Sequence, residues 1–419
     1  MSLATLEKKP LTLPPLNSVG DLYPELSPDG RTLAFFRSAS REESGGWDVW
    51  VQVINQPQAR QLTFEAYDWC GGLAWTADGK ELVFSTSQGF AGGGRMFRVR
   101  SAGGAPAPVA GIGTDAAWPS VRAGRMVHEQ LAPAPWGIWR IPGRRSSVAN
   151  RKPDRLIVSR WNDIEPAYSP DGHRIAFTSD RSGTWALWVA GEDGANPVQV
   201  TAFDAASGGW APWSPDGRRT VFTCSIPGKS HNDVYVVDSA GGVPRRLTRE
   251  PTQKRNATFS RDGRFIYYSS DRSGAWQIWR MPAGGGPSVQ VTRGGGYAAQ
   301  ESWDARHLYY SKASAGGGLW RVPVEGGEED QVFSPQPRDW TEWTLSPAGI
   351  YWGATGGSFW REDYAIHFFD FQSGRSQTLF RKVGPFVTLF PAVSPDEKWI
   401  LYTESPMVQS ELMLVENFR

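Results

Sequence analysis

Long apolar runs are missing from this chain. Nowhere do about 18 consecutive apolar residues occur, so no segment is written as a membrane-crossing helix. The opening Met1-Ser-Leu-Ala-Thr-Leu-Glu-Lys-Lys-Pro10 has no apolar core of a secretory signal; as written the chain reads as cytoplasmic, or periplasmic if an upstream export segment was removed. Net charge is almost nil. Lys and Arg number 44 against 43 Asp and Glu, a formal +1, so there is no field to gather nucleic acid or an anionic membrane. The two cysteines, Cys70 and Cys224, lie far apart and match neither a metal-ligand nor a disulfide framework, so they read as buried small hydrophobes. The five histidines, His128, His173, His231, His307 and His367, are scattered.

Catalytic signatures are missing as well. No G-x-S-x-G elbow occurs. Gly228-Lys229-Ser230 would end a phosphate-binding loop, yet position 223 is Thr where Gly is required. His128-Glu129 would open a zinc-protease motif, yet position 132 is Ala where the second His belongs. No catalytic residue, metal or cofactor is therefore assigned.

What is present is turn and aromatic chemistry: 47 Gly, 31 Pro and 21 Trp, with no long Ala, Leu, Glu and Lys stretch. A turn of the Ser-Pro-Asp-Gly type opens a hydrophobic strand nine times, with its glycine or equivalent at Gly30, Gly79, Gly124, Gly172, Gly217, Gly263, Ala305, Gly349 and Glu397. The steps run from 42 to 49 residues, the period of β-propeller blades. Length alone would suggest two or three domains, but each repeat adds its own slice of core.

The fourth copy shows the unit. Glu165-Pro-Ala-Tyr168, His173–Ser179, Thr184–Val189 and Val198-Gln-Val-Thr201 are four short β runs, parted by turn signals such as Ser169-Pro-Asp-Gly172 and Asp180-Arg-Ser-Gly183. This predicts an all-β closed propeller of four-stranded antiparallel blades, nine in number, or eight if the degenerate third copy (Ser120–Met126) or eighth copy (Leu345–Tyr351) is absorbed into a neighbour. The last repeat lacks an outer strand, and Pro10-Leu-Thr-Leu-Pro-Pro15 could supply it. We therefore expect residues 1–21 to donate a closing strand and residues 22–419 to form one propeller domain.

Residues that recur at one place define the scaffold. Asp29, Asp78, Asp171, Asp216 and Asp262 belong to the turns, Asp180-Arg181 and Asp271-Arg272 to hairpins whose carboxylates can cap backbone N–H groups, and the pairs Trp47/Trp50, Trp136/Trp139, Trp185/Trp188 and Trp276/Trp279 to packing. Recognition belongs instead to irregular loops, where those entering first strands and those joining second to third strands share one face of a propeller around the channel mouth. Trp161, Asp163, Trp210, Arg255, Trp340, Glu342, Trp360 and Arg361 are the candidate partner-binding residues there.

The sequence Ser-Pro-Asp-Gly, strand, Ser-Asp-Arg-Ser-Gly, Trp-rich strand, Gly-Gly and Leu-Thr resembles the WD-repeat-like propeller unit of TolB and related bacterial proteins. The match is nearest at Ser169–Val189 and Ser260–Met281 and extends over Leu22 to Arg419. The ending Glu411–Arg419 resembles that of propellers attached to bacterial winged-helix regulators or kinases. This resemblance implies a sensor or docking module; with the failed catalytic motifs, the leading reading is a non-catalytic, monomeric propeller that binds a protein, peptide or other ligand at the channel-mouth face. Two other readings stand beside it: a hydrolase or lyase with carboxylates at the channel mouth, and an isolated or engineered scaffold with no natural partner.

Overall fold

The computed structural model describes the chain apart from residues 1–9, 16–17, 19, 39–45, 68, 88–93, 132–134, 149–151, 202–208, 226–230, 313–316, 334–341, 359–360, 385–386, 406–409 and 419. The described residues form strands and turns with no helix, and the strands join into small antiparallel sheets, mostly four-stranded. By contact the chain divides into two compact units, one of residues 1–133 with 408–419 and one of residues 134–407.

The repeated turn is held by its own side chains. Ser169 Oγ donates to Asp171 Oδ1 at 2.5 Å and accepts from Arg174 N at 2.9 Å, while Asp171 Oδ1 accepts from His173 N at 3.1 Å. The same three bonds recur at Ser27/Asp29, Thr76/Asp78, Ser214/Asp216, Ser260/Asp262, Ser302/Asp304 and Ser394/Asp396. Gly172 follows at φ +79°, a region that side chains avoid. Glu397 takes that place in the last repeat at φ +57°, and its buried carboxylate is held by Arg144 (3.0 Å) and the Tyr351 hydroxyl (2.8 Å).

The first unit contains three sheets among its described residues. Asp21–Leu26, Thr32–Ser38, Trp47–Val53 and Ala59–Gln61 form one meander, and Trp69–Trp75, Glu81–Ser87, Arg95–Arg100 and Ala107–Pro108 form the next. In the third, Ala116–Arg122 and Arg125–Leu131 meet across a two-residue turn, with Ala123 and Gly124 both at positive φ. Its outer strand is Ser410–Val415, from the far end of the chain.

The second unit contains six sheets among its described residues. Four are meanders of single repeats, and a fifth, Arg219–Cys224, Asp233–Asp238 and Arg245–Arg246, has its first strand reduced to the bridge Trp213↔Thr220. The sixth is composite. Val387–Val393 and Trp399–Glu404, from the ninth repeat, continue into Gly137–Pro142 and Asp154–Ile157, from the third. Neighbouring sheets of this unit are in contact. Trp213 Nε1 donates to Ala167 O at 3.0 Å between the first two, Thr258 Oγ1 to Ala299 O at 2.8 Å between two later ones, and Val387–Val393 contacts both Gly349–Ser358 and Asp163–Tyr168. First strands also touch one another, Lys254–Phe259 with Tyr297–Glu301 and Val387–Val393 with Asp163–Tyr168, which sets them on the inside.

Two expectations therefore need correction. The third and ninth repeats do not each build a blade of their own; they exchange outer strands. The links concerned read Ala132-Pro-Ala-Pro135 and Ser405-Pro406, where the fourth and sixth repeats have Asp-Arg-Ser-Gly, and their prolines fix φ and remove N–H donors in those links. Nor, among the described residues, does an N-terminal strand close the ninth sheet. Pro10–Pro15 lies outside every strand, its prolines lacking N–H donors, and Asp154–Ile157 occupies the outer place it was expected to take.

Candidate functional site

In the fourth and sixth repeats the loop entering the first strand is tied to the hairpin between second and third strands. Asn162 N and Nδ2 donate to Asp180 at 2.9 and 2.7 Å, and Gln253 N donates to Asp271 Oδ1 at 2.9 Å. The arginine after each of those aspartates lies over a third-strand indole: Arg181 over Trp188 at 5.1 Å, Arg272 over Trp279 at 4.5 Å. Lys312 over Trp320 and Arg37 over Trp50 extend the series. The Asp-Arg-Ser-Gly signature is thus a clamp that fixes both loops on one face.

The eight candidate residues have different situations on this frame. Trp161 is exposed, with the Arg160 guanidinium 5.2 Å from its ring. Asp163 is fully buried; its carboxylate takes a charge-assisted bond from Arg181 and one from Ser159 Oγ at 2.8 Å. Trp210 is half-buried against the core around Trp213 and Phe222. Glu342 is buried, and its carbonyl accepts from Gly353 N at 2.8 Å. Arg361 opens the strand Arg361–Asp370, paired with Ser358. Trp340 and Trp360 lie outside the described residues.

Arg255 has the richest surroundings of the group. Its NH1 donates to Tyr297 Oη at 3.3 Å and its guanidinium lies 5.7 Å from the Trp276 ring, while Trp276 and Tyr297 meet edge to face at 5.2 Å. Arg255 has no carboxylate partner among the described residues, so its guanidinium meets the Trp276 ring and the Tyr297 hydroxyl rather than an anion. Trp276 was read from its repeated place as packing, and Tyr297 was not singled out at all. The signal that could have found Tyr297 is alignment of the repeats, in which Ile164, Arg255 and Tyr297 occupy the same place before a bulge.

Beside Arg255, a buried ionic cluster braces the loop. Lys254 is fully buried; Nζ donates to the carbonyls of Glu250 and Thr252 and lies 3.7 Å from Asp233 Oδ1, whose other oxygen takes a bond from Arg246 NH2 at 2.6 Å. Burial pushes the Lys254 ammonium below its usual pKa, against the pull of Asp233 and Glu250. Cys70 and Cys224 are buried free thiols, and burial pushes both up to about 12.

A family model for the TolB beta propeller domain matches residues 199–351, within the second unit. An uncharacterized protein of Agrobacterium fabrum is 33% identical over 125 residues, 30% of this chain and 41% of that protein. The Tol-Pal system protein TolB of Bordetella pertussis is 35% identical over 137 residues, 32% of this chain and 31% of that one. The matched stretch thus spans less than half the length of either curated relative. Among solved structures, a putative TolB from Agrobacterium tumefaciens is covered completely by 66% of this chain, with a TM-score of 0.55 at 22% identity, a likeness of fold.

Proposed function

Because this chain is a TolB-like β-propeller, we propose that it is a binding module whose partner, a protein or peptide, docks on the loop face of residues 134–407. The matching solved structure is covered by two thirds of this chain, about the share that residues 134–407 make up. On this reading the second unit is a six-bladed ring, the third and ninth repeats together supplying its composite blade, and the first unit is an addition to it.

The observation that carries the reading is Arg255 held against the Trp276 ring and the Tyr297 hydroxyl without a carboxylate. An arginine held by a ring and a neutral hydroxyl is pre-ordered and keeps a charge available for an incoming acidic group. Trp161 adds an exposed ring on the same class of loop. Tryptophan, tyrosine and arginine dominate the energetics of protein interfaces, whereas aspartates tied into turns do not. Asp163, buried under Arg181, serves as scaffold on this reading.

Random peptides displayed on phage and selected on the full chain provide the test. Selected peptides should bind Arg255→Ala and Trp161→Ala about tenfold or more weakly than wild type by calorimetry, each truncation removing roughly 1–2 kcal/mol. Undiminished binding to both variants would remove this face from consideration.

A further inference from the structure

We infer that Glu165 anchors a cationic side chain, lysine or arginine, of the peptide received by this face; the inference rests on the binding reading just given. Glu165 belongs to Asp163–Tyr168, the first strand of its sheet, two residues beyond the loop clamp at Asp163. It sits in a β-bulge between Ile164 and Ala167 with φ +54°. The same bulge recurs at Asn256 (φ +51°) and Ala298 (φ +50°), and in the first unit at Tyr23 and Trp118. The fold therefore builds the bulge whatever residue occupies it. Of these five residues, Glu165 alone is a carboxylic acid.

Among the described residues, nothing neutralises that acid. Glu165 Oε2 is buried without a hydrogen-bond partner among the described residues, although the residue as a whole is only half-buried and so remains reachable. Its backbone N–H is satisfied by Thr403 Oγ1 at 3.3 Å. The charged neighbours along these strands are already committed, Asp163 to Arg181 and Glu404 to Lys382 and the Tyr402 hydroxyl. Burial alone raises the Glu165 carboxyl to about 7, with no nearby cation opposing it.

A buried acid without a counter-charge is unfavourable, and alanine fills the equivalent bulge at residue 298. Such a group is explained by a cation that arrives from outside. Bulges on inner strands re-aim side chains toward ligands, and the first strands lie on the inside of this unit. Arg255 and Glu165 then offer opposite charges to one extended peptide.

The probe is acetyl-Gly-Arg-Gly-amide, compared with the citrulline peptide, its uncharged isostere, and with calcium chloride. Wild type should bind the arginine peptide about tenfold tighter than the citrulline one by ligand-observed NMR, and Glu165→Gln should abolish that preference. Equal binding of the two peptides, an undiminished preference in Glu165→Gln, or binding of calcium without the arginine peptide would each overturn the inference. Glu165→Gln should also melt at the wild-type temperature or above; a clear drop would assign Glu165 an internal role and overturn it too. Phage-selected peptides that need Arg255 yet bind Glu165→Gln as wild type would defeat the anchor alone, whereas indifference to both Arg255 and Trp161 would defeat the face itself.

Discussion

Asp262 sits at the turn that opens a strand, accepting from Ser260 Oγ (2.6 Å), Arg264 N (3.0 Å) and Arg264 Nε (2.5 Å). Ser260 is the largest cause that holds its pKa down at about 2, against an ordinary 3.8, and six sister aspartates are lowered in the same sense. A depressed folded-state pKa means stability that is present above the unfolded value and is lost as pH falls through the folded one. Asp262→Asn should therefore melt below wild type at pH 7, and the gap should close between about pH 4 and pH 2. A gap independent of pH in thermal melts would show that the charge contributes nothing. These aspartates were legible in the sequence because they recur with their serines; Glu165 was not, because its bulge is set by pairing between strands rather than by any local residue signal.

Thr248 ends a fourth strand with the Leu-Thr signature. Its Oγ1 accepts from Val234 N at 3.0 Å and donates to Asp233 Oδ1 at 2.9 Å, pinning the fourth strand to the third. Thr63 makes the same pair of bonds with Val49 N and Asp48, and Thr292 with Ile278 N and Gln277. Thr201 accepts from Leu187 N at 2.9 Å, but the matching third-strand position is Ala186, which offers no acceptor side chain. Thr248→Val keeps the shape, removes both bonds and leaves a buried N–H unpaired, so we expect a loss of about 1–3 kcal/mol in urea unfolding. Thr201→Val should lose less; equal losses would mean that the bond to Asp233 adds nothing. The Leu-Thr and Asp-Arg signatures could be read as punctuation from their spacing. What they grip could not, since a threonine-to-aspartate bond and an arginine-over-indole contact join residues on different strands.

Nine repeats were legible from their period, and the all-β fold followed from them. The partners of individual strands were not, because every repeat offers the same strand types and the hydrophobic pattern does not state which copy a strand must join. At the third and ninth copies, whose links carry Pro133, Pro135 and Pro406, the strands pair with each other's repeat, whereas the fifth copy pairs within itself across a link that also carries a proline, Pro227, so the links alone do not decide the pairing. Among the described residues, every sheet draws its strands from one unit alone. Cooperativity follows shared cores and ladders, so the full chain should unfold in two calorimetric transitions rather than one. Residues 134–407 expressed alone contain both halves of the composite sheet, Val387–Val393 and Trp399–Glu404 with Gly137–Pro142 and Asp154–Ile157. That fragment should give an all-β circular dichroism spectrum and a single melt that coincides with one of the two. A single ring through all nine repeats predicts the opposite: one transition for the whole chain, and a fragment with unpaired edges that fails to fold.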